Sequence, residues 1–582
     1  MDGATGNGIP NGIGSPVRRK EDHRLLTGRG RYVDDLALPG MVHAVFVRSP
    51  HAHARLRGID SAAALAAPGV LAVLTGADTL ADGLAPLPHA AGLMAAPDLQ
   101  VRLPNGDYIA TKHMPLPADT VRFVGEAVAI VIAETLAQAK DAAELVEVAY
   151  EVLPAVTQAT AALRDHAPRL WDEAPGNLCM EMEAGDRAAT DAAFTCAAHV
   201  VRLETQIQRV TGVTMEPRTN TAEYDAATGN YTLHSGSGRG VAKARLDLAI
   251  VLGVDPERVR VVCEDMGGNF GTRNYFYIEY AVLAWAARRV GRPVKWQCER
   301  GEALLSDYQG RDLHVEAELA LDTQGKFLAV RGTNLSNLGF QSLSFVSLQK
   351  GLGLMSGVYD IPAAYFRGLA AVTNTMATTP YRSAGRPEVI YVVERLVDLA
   401  ADQLGLDPIE LRRRNMVPPA AQPYTNPLGI TYDNGDYAEA MDTALDMADW
   451  AGFAARRTEA RRRGKYRGIG IANYVEITSG NPRERTEITV RPEGRVELVM
   501  GTMSSGQGHE TSFAQLVTEW LGVPFECIDY VAHDTARVAA GGGSHSGRSM
   551  KLATTIIGQA TDDIIDKGRK IAGHVLETSE GD

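Results

Sequence analysis

The sequence predicts a mixed α/β (α+β) protein of several domains. Its 582 residues are enough for roughly two to four domains with sizeable hydrophobic cores. Strand-like apolar segments alternate with amphipathic helices along most of the chain, which is typical of this fold class. Hydrophobic residues make up 45% and charged residues 22%, as in ordinary globular proteins. These values exclude a mainly disordered chain, and no internal repeat of roughly 20 to 50 residues is visible.

The first predicted unit follows a short leader. Residues 1–20 are rich in Gly, Asn and Pro and predict a flexible leader. Residues 21–155 predict an α/β unit, in which AVAIVIA (127–133) is apolar throughout and predicts a buried strand. The other elements expected in this unit are strands over 41–50 and 69–76 and an amphipathic helix over 134–151 that passes into a further strand.

Two further units are predicted, over residues 156–417 and 418–582. The Pro-rich stretch PPAAQPYTNPLG (418–429) is the expected linker between them. The second unit is expected to contain helices over 241–253, 278–291, 392–405 and 406–415 and strands over 258–266 and 292–300. The third is expected to contain a strand over 488–501 and helices over 512–522 and 551–577.

Charge and cysteine usage exclude several classes of partner and cofactor. The net charge of −13 repels phosphate backbones, so no nucleic-acid partner is expected. No segment reaches the ~18 apolar residues that cross a bilayer, and the start has no secretory apolar run, so we expect a cytoplasmic protein and no membrane. The five cysteines are scattered and form neither zinc nor iron–sulfur spacings nor a disulfide framework.

The most informative segment is EDMGGNFGTRN (264–274). Its glycines, Gly267, Gly268 and Gly271, follow an apolar strand and precede a helix. Because glycine lacks a Cβ, backbone amides there can approach an anionic or oxo ligand closely. A tight strand-to-helix turn is the alternative. The order GGxxG does not match the GxGxxG pattern, which disfavours a nicotinamide-binding Rossmann site.

Three more segments combine glycines with polar donors. ATTPYRSAGRPE (377–388) carries Arg382, whose fork suits an anion or oxo group, although an ion-paired turn is the alternative. MGTMSSGQGHET (500–511) places Gln507, Gly508 and His509 before a predicted helix, either as an anion cradle or as a polar cap. AAGGGSHSGRSM (539–550) places Arg548 before another helix.

These segments, in this order, resemble the molybdenum-binding large subunit of the xanthine dehydrogenase, aldehyde oxidase and carbon monoxide dehydrogenase family. The resemblance runs from about residue 16 to the C-terminus. The matching stretches are 27–56, 124–156, 214–225, 266–274, 379–388, 404–415, 504–515 and 541–550.

The resemblance implies a domain plan and a cofactor. It implies an a/b hammerhead domain over 21–155 and two molybdopterin-binding domains over 156–417 and 418–582, the last incomplete. It also implies molybdenum on molybdopterin, in the cytosine dinucleotide form usual in bacterial members, with no side-chain ligand to the metal. Iron–sulfur clusters and FAD would lie in partner subunits and not in this chain. The implied activity is hydroxylation of an aldehyde or aromatic N-heterocycle, a small-molecule substrate, with water as the oxygen source.

The resemblance also implies roles for particular residues. Arg382 matches the arginine beside the metal and is the one catalytic residue assigned. The implied cofactor-binding residues are Gly267, Gly268, Phe270, Gly271, Arg382, Gly506, Gln507, Gly508, His509, Gly547, Arg548 and Ser549.

The expected substrate pocket departs from relatives at three positions. Ser383 stands where carbon monoxide dehydrogenases carry a copper-binding cysteine, and a hydroxyl is a poor ligand for Cu(I), which disfavours carbon monoxide as the substrate. Arg239 falls in the region where relatives carry a glutamine that contacts an oxo ligand, unless the register slips and it faces solvent. Asn274 stands near the purine-binding glutamate of purine hydroxylases, which disfavours purines. Phe345, Lys350 and Tyr381 are further pocket candidates, although residues of these types are more often ordinary surface or core residues.

The family's general-base glutamate lies in a C-terminal Gly-Glu motif that is not found in this sequence. Glu216, Glu388 and Glu510 belong to other motifs and cannot take that role. Either the sequence is a fragment of a longer chain, or a second molybdenum-subunit fragment supplies the rest. The expected hydroxylase large subunit, or its N-terminal portion, has two alternatives: a cofactor-holding chain without activity of its own, and a generic phosphate-ligand binding protein.

The missing motif leads to a first prediction. Since losing a general base typically costs ~10²–10⁴ in rate, the chain alone, loaded with cofactor, should not turn over substrate. An assay of the purified, loaded chain with an aldehyde checks this, and measurable hydroxylation would contradict it.

Overall fold

A computed structural model describes residues 10–88, 101–236, 240–478, 480 and 482–579. The first part of the chain contains α1 (Asp22–Leu26), β1 (Val42–Arg48), β2 (Ala54–Asp60), α2 (Ala62–Ala66), β3 (Val70–Thr75), α3 (Gly76–Ala81), β4 (Thr120–Val121), β5 (Ala127–Ala133), α4 (Leu136–Ala143) and β6 (Glu147–Val152).

The second part of the chain contains α5 (Ala159–Ala162), β7 (Leu178–Gly185), α6 (Arg187–Cys196), β8 (His199–Thr211), β9 (Thr219–Asp225), β10 (Asn230–Ser235), α7 (Val241–Leu252), β11 (Val259–Val262), α8 (Ile278–Val290), β12 (Val294–Gln297), α9 (Arg300–Ser306), β13 (Gln309–Leu321), β14 (Phe327–Gly339), α10 (Val346–Leu352), β15 (Ala363–Val372), α11 (Arg386–Leu404) and α12 (Pro408–Asn415).

The last part contains β16 (Tyr424–Thr425), β17 (Thr431–Tyr432), α13 (Tyr437–Met447), α14 (Phe453–Arg462), β18 (Thr486–Val490), β19 (Val496–Met500), α15 (His509–Leu521), β20 (Ile528–Val531) and α16 (Arg548–Leu576). No helix in the described ranges combines the length and the apolar character that crossing a membrane requires.

Strands of the first and second parts form one seven-stranded sheet, in the order β11-β10-β9-β12-β1-β5-β3. β1 pairs in parallel with β12, with Val42 opposite Val294, and antiparallel with β5. All seven residues of β5 are buried, as its apolar sequence predicts. α8 covers this sheet with its fully buried Trp285. The predicted boundary at residues 155 and 156 therefore falls between segments that share a sheet.

A second core lies against the five-stranded sheet β7-β15-β14-β13-β8. The helix α11 packs on this sheet and begins at Arg386, whereas the sequence predicts a start at residue 392. Pro387 lies in the first turn of α11, where its missing N–H costs no intrahelical hydrogen bond. The sequence prediction therefore placed the helix start six residues too late.

The last part has its own small core between the sheet β18-β19-β20 and the helices α15 and α16. The single strand predicted over 488–501 is a hairpin, because β18 and β19 pair antiparallel. The turn between them contains Gly494, whose φ of +80° suits a residue without a Cβ.

Residues 10–20 are packed on this last part. Lys20 Nζ donates to the carbonyl oxygens of Phe525 at 2.9 Å and Ile528 at 2.6 Å, and Gln515 also donates to carbonyls of the segment. The prediction of a flexible leader is therefore wrong for residues 10–20. The composition of the leader cannot show that Gln515, about 500 residues away in the chain, donates hydrogen bonds to it.

A buried network of ion pairs joins the first and second parts. Arg218 has no exposed side-chain surface, donates to Asp307 Oδ1 at 2.6 Å and pairs with Glu279 at 3.3 Å. Arg48 of β1 pairs with the same Glu279 at 3.1 Å. Burial alone would raise the pKa of Glu279, but the two guanidinium groups hold it at about 2.

This network generates a prediction about stability. Replacing Arg218 with Met leaves Glu279 and Asp307 buried with fewer partners, so R218M should lose about 3–5 kcal/mol of unfolding free energy at neutral pH. The folded pKa of Glu279 lies below its ordinary value of 4.5, so its stabilisation is complete above that pH and is lost as the pH falls toward 2. R218M should weaken this acid dependence.

Urea unfolding at neutral and acidic pH measures both effects. The matched control is R202M, because Arg202 is 77% exposed in its pair with Glu318 and its loss should cost less than ~1 kcal/mol. Equal losses in the two variants would contradict the prediction.

Candidate active site

The four Gly-rich segments singled out in the sequence meet around one cleft of about 640 Å³. The cleft lies between the loop after β11, the turn before α11, the segment before β18 and the loops before α15 and α16. Its lining residues are Asn269, Phe270, Gly271, Asn274, Pro380, Tyr381, Arg382, Ser383, Ala384, Arg386, Glu476, Ile477, Thr478, Ser505, Gly506, Gln507, Ser544, His545, Ser546 and Gly547.

The loop after β11 and the turn before α11 are joined backbone to backbone. Arg382 N donates to Phe270 O at 2.8 Å. Gly271 has a φ of +98°, and a Cβ built on it would lie 2.1 Å from the Pro380 carbonyl oxygen. Only glycine fits this approach, which explains the last glycine of the GGxxG pattern. The first, Gly267, donates its N–H to Glu216 Oε2 at 2.8 Å and supports the loop from behind.

Arg382 presents an uncommitted guanidinium to the cleft. Its side chain is exposed, and among the described residues its guanidinium has no hydrogen bond or ion pair. Arg311 anchors the turn by donating to the Arg382 carbonyl at 2.8 Å and by pairing with Glu388 at 2.6 Å. Burial raises the pKa of Glu388, and Arg311 opposes that shift. The guanidinium of Arg382 is thus available to an anionic or oxo group.

The loop before α15 contributes an open backbone. Gly506 has a φ of +111° and no atom within 4 Å of where a Cβ would stand. Gln507 lines the cleft and accepts the Ser505 N–H at 2.5 Å. Arg19 of the N-terminal segment donates to the Gly506 carbonyl at 3.3 Å and thereby holds the loop from outside.

His509 and Arg548 were predicted to hold a cofactor, but the structure buries both behind the loops. His509 Nδ1 lies 3.3 Å from Ser544 Oγ, and burial lowers the pKa of the imidazole to about 4, so it is neutral at pH 7. Arg548 pairs with the buried Glu484 at 2.8 Å and donates to Gly543 O at 2.6 Å. Neither side chain lines the cleft in the described structure; both position the loops that do.

The other predicted site residues divide into two groups. Asn274, Tyr381 and Ser383 line the cleft, as do Phe270, Gly506, Gln507 and Gly547. Gly268 and Gly508 lie within the same loops. Ser549 lies in the first turn of α16, with its Oγ 3.1 Å from Ser544 Oγ.

Phe345 and Lys350 do not line the cleft in the described structure, and Arg239 lies outside the described residues. Phe345 is 1% exposed and packs edge-on against Tyr108 in the second core. Lys350 stands just behind the wall, with its Nζ 3.0 Å from Ser546 Oγ.

Sequence reasoning missed the segment that closes one side of the cleft. Glu476, Ile477 and Thr478 line the cleft, and Glu476 forms an ion pair with Arg386. The run YVEIT (474–478) carries no glycine or cluster of donors, so nothing in its composition marks it as part of a site. Arg386 was visible in the sequence beside Arg382 but was not singled out.

Three helices begin at the cleft with a glycine at the N-cap. Gly385 caps α11, Gly508 caps α15 and Gly547 caps α16, with φ values of +88°, +80° and +69°. None of the three has a side-chain hydrogen bond at the cap among the described residues. Some N–H groups of these first turns are already bonded, because Arg386 N donates to Ser383 O at 3.4 Å and Arg548 N donates to His545 O at 3.1 Å. Within the described structure the N–H groups of Glu510 in α15 and Ser549 in α16 have no acceptor, and such amides carry partial positive charge that suits a bound anion. A polyanionic pterin phosphate fits this donor set.

Comparison with known families agrees with this site. The molybdopterin cofactor-binding domain model matches residues 170–416, and a second molybdopterin cofactor-binding domain model matches residues 443–582. The aldehyde oxidase and xanthine dehydrogenase a/b hammerhead domain model matches residues 27–154.

Individual relatives cover nearly the whole chain. The carbon monoxide dehydrogenase large chain of Hydrogenophaga pseudoflava is 34% identical over 97% of this chain and 72% of the relative. The nicotine 6-hydroxylase large subunit of Paenarthrobacter nicotinovorans is 33% identical over 98% of this chain and 70% of the relative. The structure of quinoline 2-oxidoreductase from Pseudomonas putida 86 matches with a TM-score of 0.89 and 35% identity, over 98% of this chain and 72% of that one.

The contact between Gly271 and Pro380 leads to a prediction. G271A places a methyl group against a carbonyl oxygen in a left-handed conformation, so it should lower the unfolding free energy by more than ~3 kcal/mol. G253A is the matched control, because Gly253 has a φ of +66° but open space around its Cβ position, and it should cost only ~1 kcal/mol. Thermal unfolding of both variants measures the difference, and equal midpoints would refute it.

Proposed function

Because the chain belongs to the molybdenum hydroxylase family of the carbon monoxide dehydrogenase and xanthine dehydrogenase type, we propose that its cleft binds molybdopterin to hydroxylate an aromatic N-heterocycle or an aldehyde. The observation that carries this proposal is the meeting of three glycine-capped helix starts at one cleft. We propose the cytosine dinucleotide form of the cofactor, as the sequence resemblance implies.

The residues of the chain hold and orient the bound groups. The free N–H groups at the starts of α15 and α16 bind the phosphates of the cofactor, and the open backbone at Gly506 lets it approach. Arg382 directs its guanidinium at the anionic or oxo face of the bound group. When bound, molybdenum on this pterin supplies two-electron redox chemistry and activates water as the oxygen source.

The lining of the cleft favours a flat organic substrate over carbon monoxide. Phe270 and Tyr381 offer aromatic surface, and Asn274 is an amide to which Asn269 Nδ2 donates at 2.8 Å. Ser383 supplies a hydroxyl where copper would need a soft ligand. A solved relative described as a Cu,Mo-CO dehydrogenase matches as well as the quinoline enzyme, so overall similarity does not separate the two substrates.

Electrons are proposed to leave through a small iron–sulfur subunit and an FAD subunit. All five cysteines of the chain are free. Burial raises the pKa of Cys179 and of Cys298 to about 12, which keeps both as thiols and makes them poor cluster ligands. Relatives described as a large chain and as subunit gamma of a dehydrogenase complex support a multi-subunit assembly.

One observation favours a second candidate, a cofactor-holding chain that needs a further polypeptide for its base. Glu476 is the one carboxylate among the described lining residues of the cleft, and it is already held in an ion pair with Arg386. The glutamate that relatives use would then come from sequence outside this chain.

The proposal is tested on the complex purified from its native host. We expect about one molybdenum per chain, iron and flavin in the partner subunits, no copper, and dye-linked oxidation of N-heterocycles or aldehydes. R382M should lower kcat by about 10²–10³ without loss of stability, because Arg382 has no partner to lose within the described structure. R413M is the control, since Arg413 pairs with Asp442 on the surface.

Each result decides between the alternatives. A complex without molybdenum would refute the function, and stoichiometric copper with carbon monoxide oxidation would refute the substrate class. Molybdenum without turnover, restored by a second polypeptide, would establish the cofactor-holding candidate.

A further inference from the structure

Lys350 is a buried cation beside the cleft to which the proposed function gives no role. It lies on α10 and is 8% exposed. Its Nζ donates to Ser546 Oγ at 3.0 Å, and Ser546 lines the cleft. Across the described ranges no carboxylate lies within 4 Å of the Lys350 ammonium. The ammonium therefore has one neutral acceptor and two further protons to donate.

The charged groups around Lys350 do not neutralise it. Arg386 at the start of α11 and Glu476 before β18 are the charges that face it, and Tyr474 donates its hydroxyl to Glu476 at 3.0 Å. Arg386 is paired with Glu476. Among the described residues, these two cations and one carboxylate leave one positive charge without a counter-charge. Burial and then the repulsion of Arg386 lower the pKa of Lys350 to about 8, against a smaller opposing effect of Glu476.

An uncompensated buried charge is costly unless a ligand completes it. Isolated buried ammonium groups are strongly disfavoured, and a buried cation of this kind beside a cleft is a candidate for a functional site. The wall at Ser546 is the side of the cleft that Lys350 reaches, and the Ser546 backbone is held at a positive φ of +54° beside Gly547.

We propose that Lys350 and Arg386 form an anion subsite on the α10 side of the cleft, which receives a carboxylate or phosphate oxygen of the bound ligand. This rests on the proposed function, because the oxygen belongs either to the cofactor or to an acidic substrate. The subsite selects ligands with a negative substituent over neutral ones of the same shape.

The test reads the protonation of Lys350 itself. In competitive amine labelling of the purified complex over a pH series, followed by mass spectrometry of the peptide, Lys350 should titrate near pH 8 when no anion is bound. An occupant should raise that midpoint by about one unit. The exposed Lys326 is the internal reference and should not shift.

Three arms identify the source of the anion. If the cofactor fills the subsite, complex from molybdate-supplied cells shows the raised midpoint and molybdenum-free complex does not. If an acidic substrate fills it, added benzoate raises the midpoint and neutral benzamide does not. Inorganic phosphate serves as the third probe, on the molybdenum-free complex.

Three variants separate loss of the subsite from loss of folding. K350M should weaken benzoate or phosphate binding about tenfold in calorimetry, K350R should restore it, and K326M should leave it unchanged. If neither cofactor, benzoate nor phosphate moves the Lys350 midpoint, or if K350M binds as wild type does, the subsite is refuted. A complex that lacks molybdenum even when purified from molybdate-supplied cells, but still responds to benzoate or phosphate, would refute the proposed function and keep the subsite.

Discussion

The convergence of the glycine-capped starts of α11, α15 and α16 on one cleft is the constraint on which the site depends. A helix start normally takes a side-chain cap, and here three starts around one space have a glycine instead. Bringing them together requires the loops to approach within contact distance. Gly271 against the Pro380 carbonyl, and Gly385 against the Ser347 carbonyl, meet that requirement where any Cβ would collide. The cleft thus attracts anions by backbone dipoles in a chain whose net charge is −13.

Side chains behind the loops keep those amides in place. The Arg548 guanidinium forms an ion pair with the buried Glu484 and donates a hydrogen bond to the Gly543 carbonyl. His509 is neutral and packs flat on Phe513, with ring centroids 4.8 Å apart. These groups place no charge at the cleft, so its local charge comes from Arg382 and from the cluster around Lys350. Buried, paired side chains therefore hold the loops rigidly, while groups without protein partners among the described residues are left to bind the ligand.

The sequence was sufficient for the family, the fold class and the meeting of the loops. Glycines before helices are a local signal, so the segments around Gly271, Gly506 and Gly547 were recognisable without coordinates, and the family match confirms the resemblance. Whether a polar side chain in such a loop faces the cleft or the core depends on tertiary packing. His509 and Phe345 look like site residues in the sequence but are buried.

For the fold as well, local sequence signals predicted individual elements but not how distant elements pair. The strand β5 and the helix α8 follow from apolar runs, whereas the pairing of β1 with β12 depends on residues far apart. The hairpin within 488–501 was missed because one Gly among charged residues is a weak turn signal. Likewise, the Gly and Pro composition of the first twenty residues could not reveal that Lys20 docks on the last part of the chain.

The pairing of β1 with β12 also bears on how the protein is made. Val42 leaves the ribosome about 250 residues before its partner Val294. At bacterial or eukaryotic elongation rates, one edge of the nascent sheet waits for roughly 10 to 50 seconds with open hydrogen-bonding groups. An edge exposed for that time can pair with a neighbouring nascent chain on the same messenger. The strand that joins two parts of the finished molecule therefore stays open to wrong pairing during synthesis.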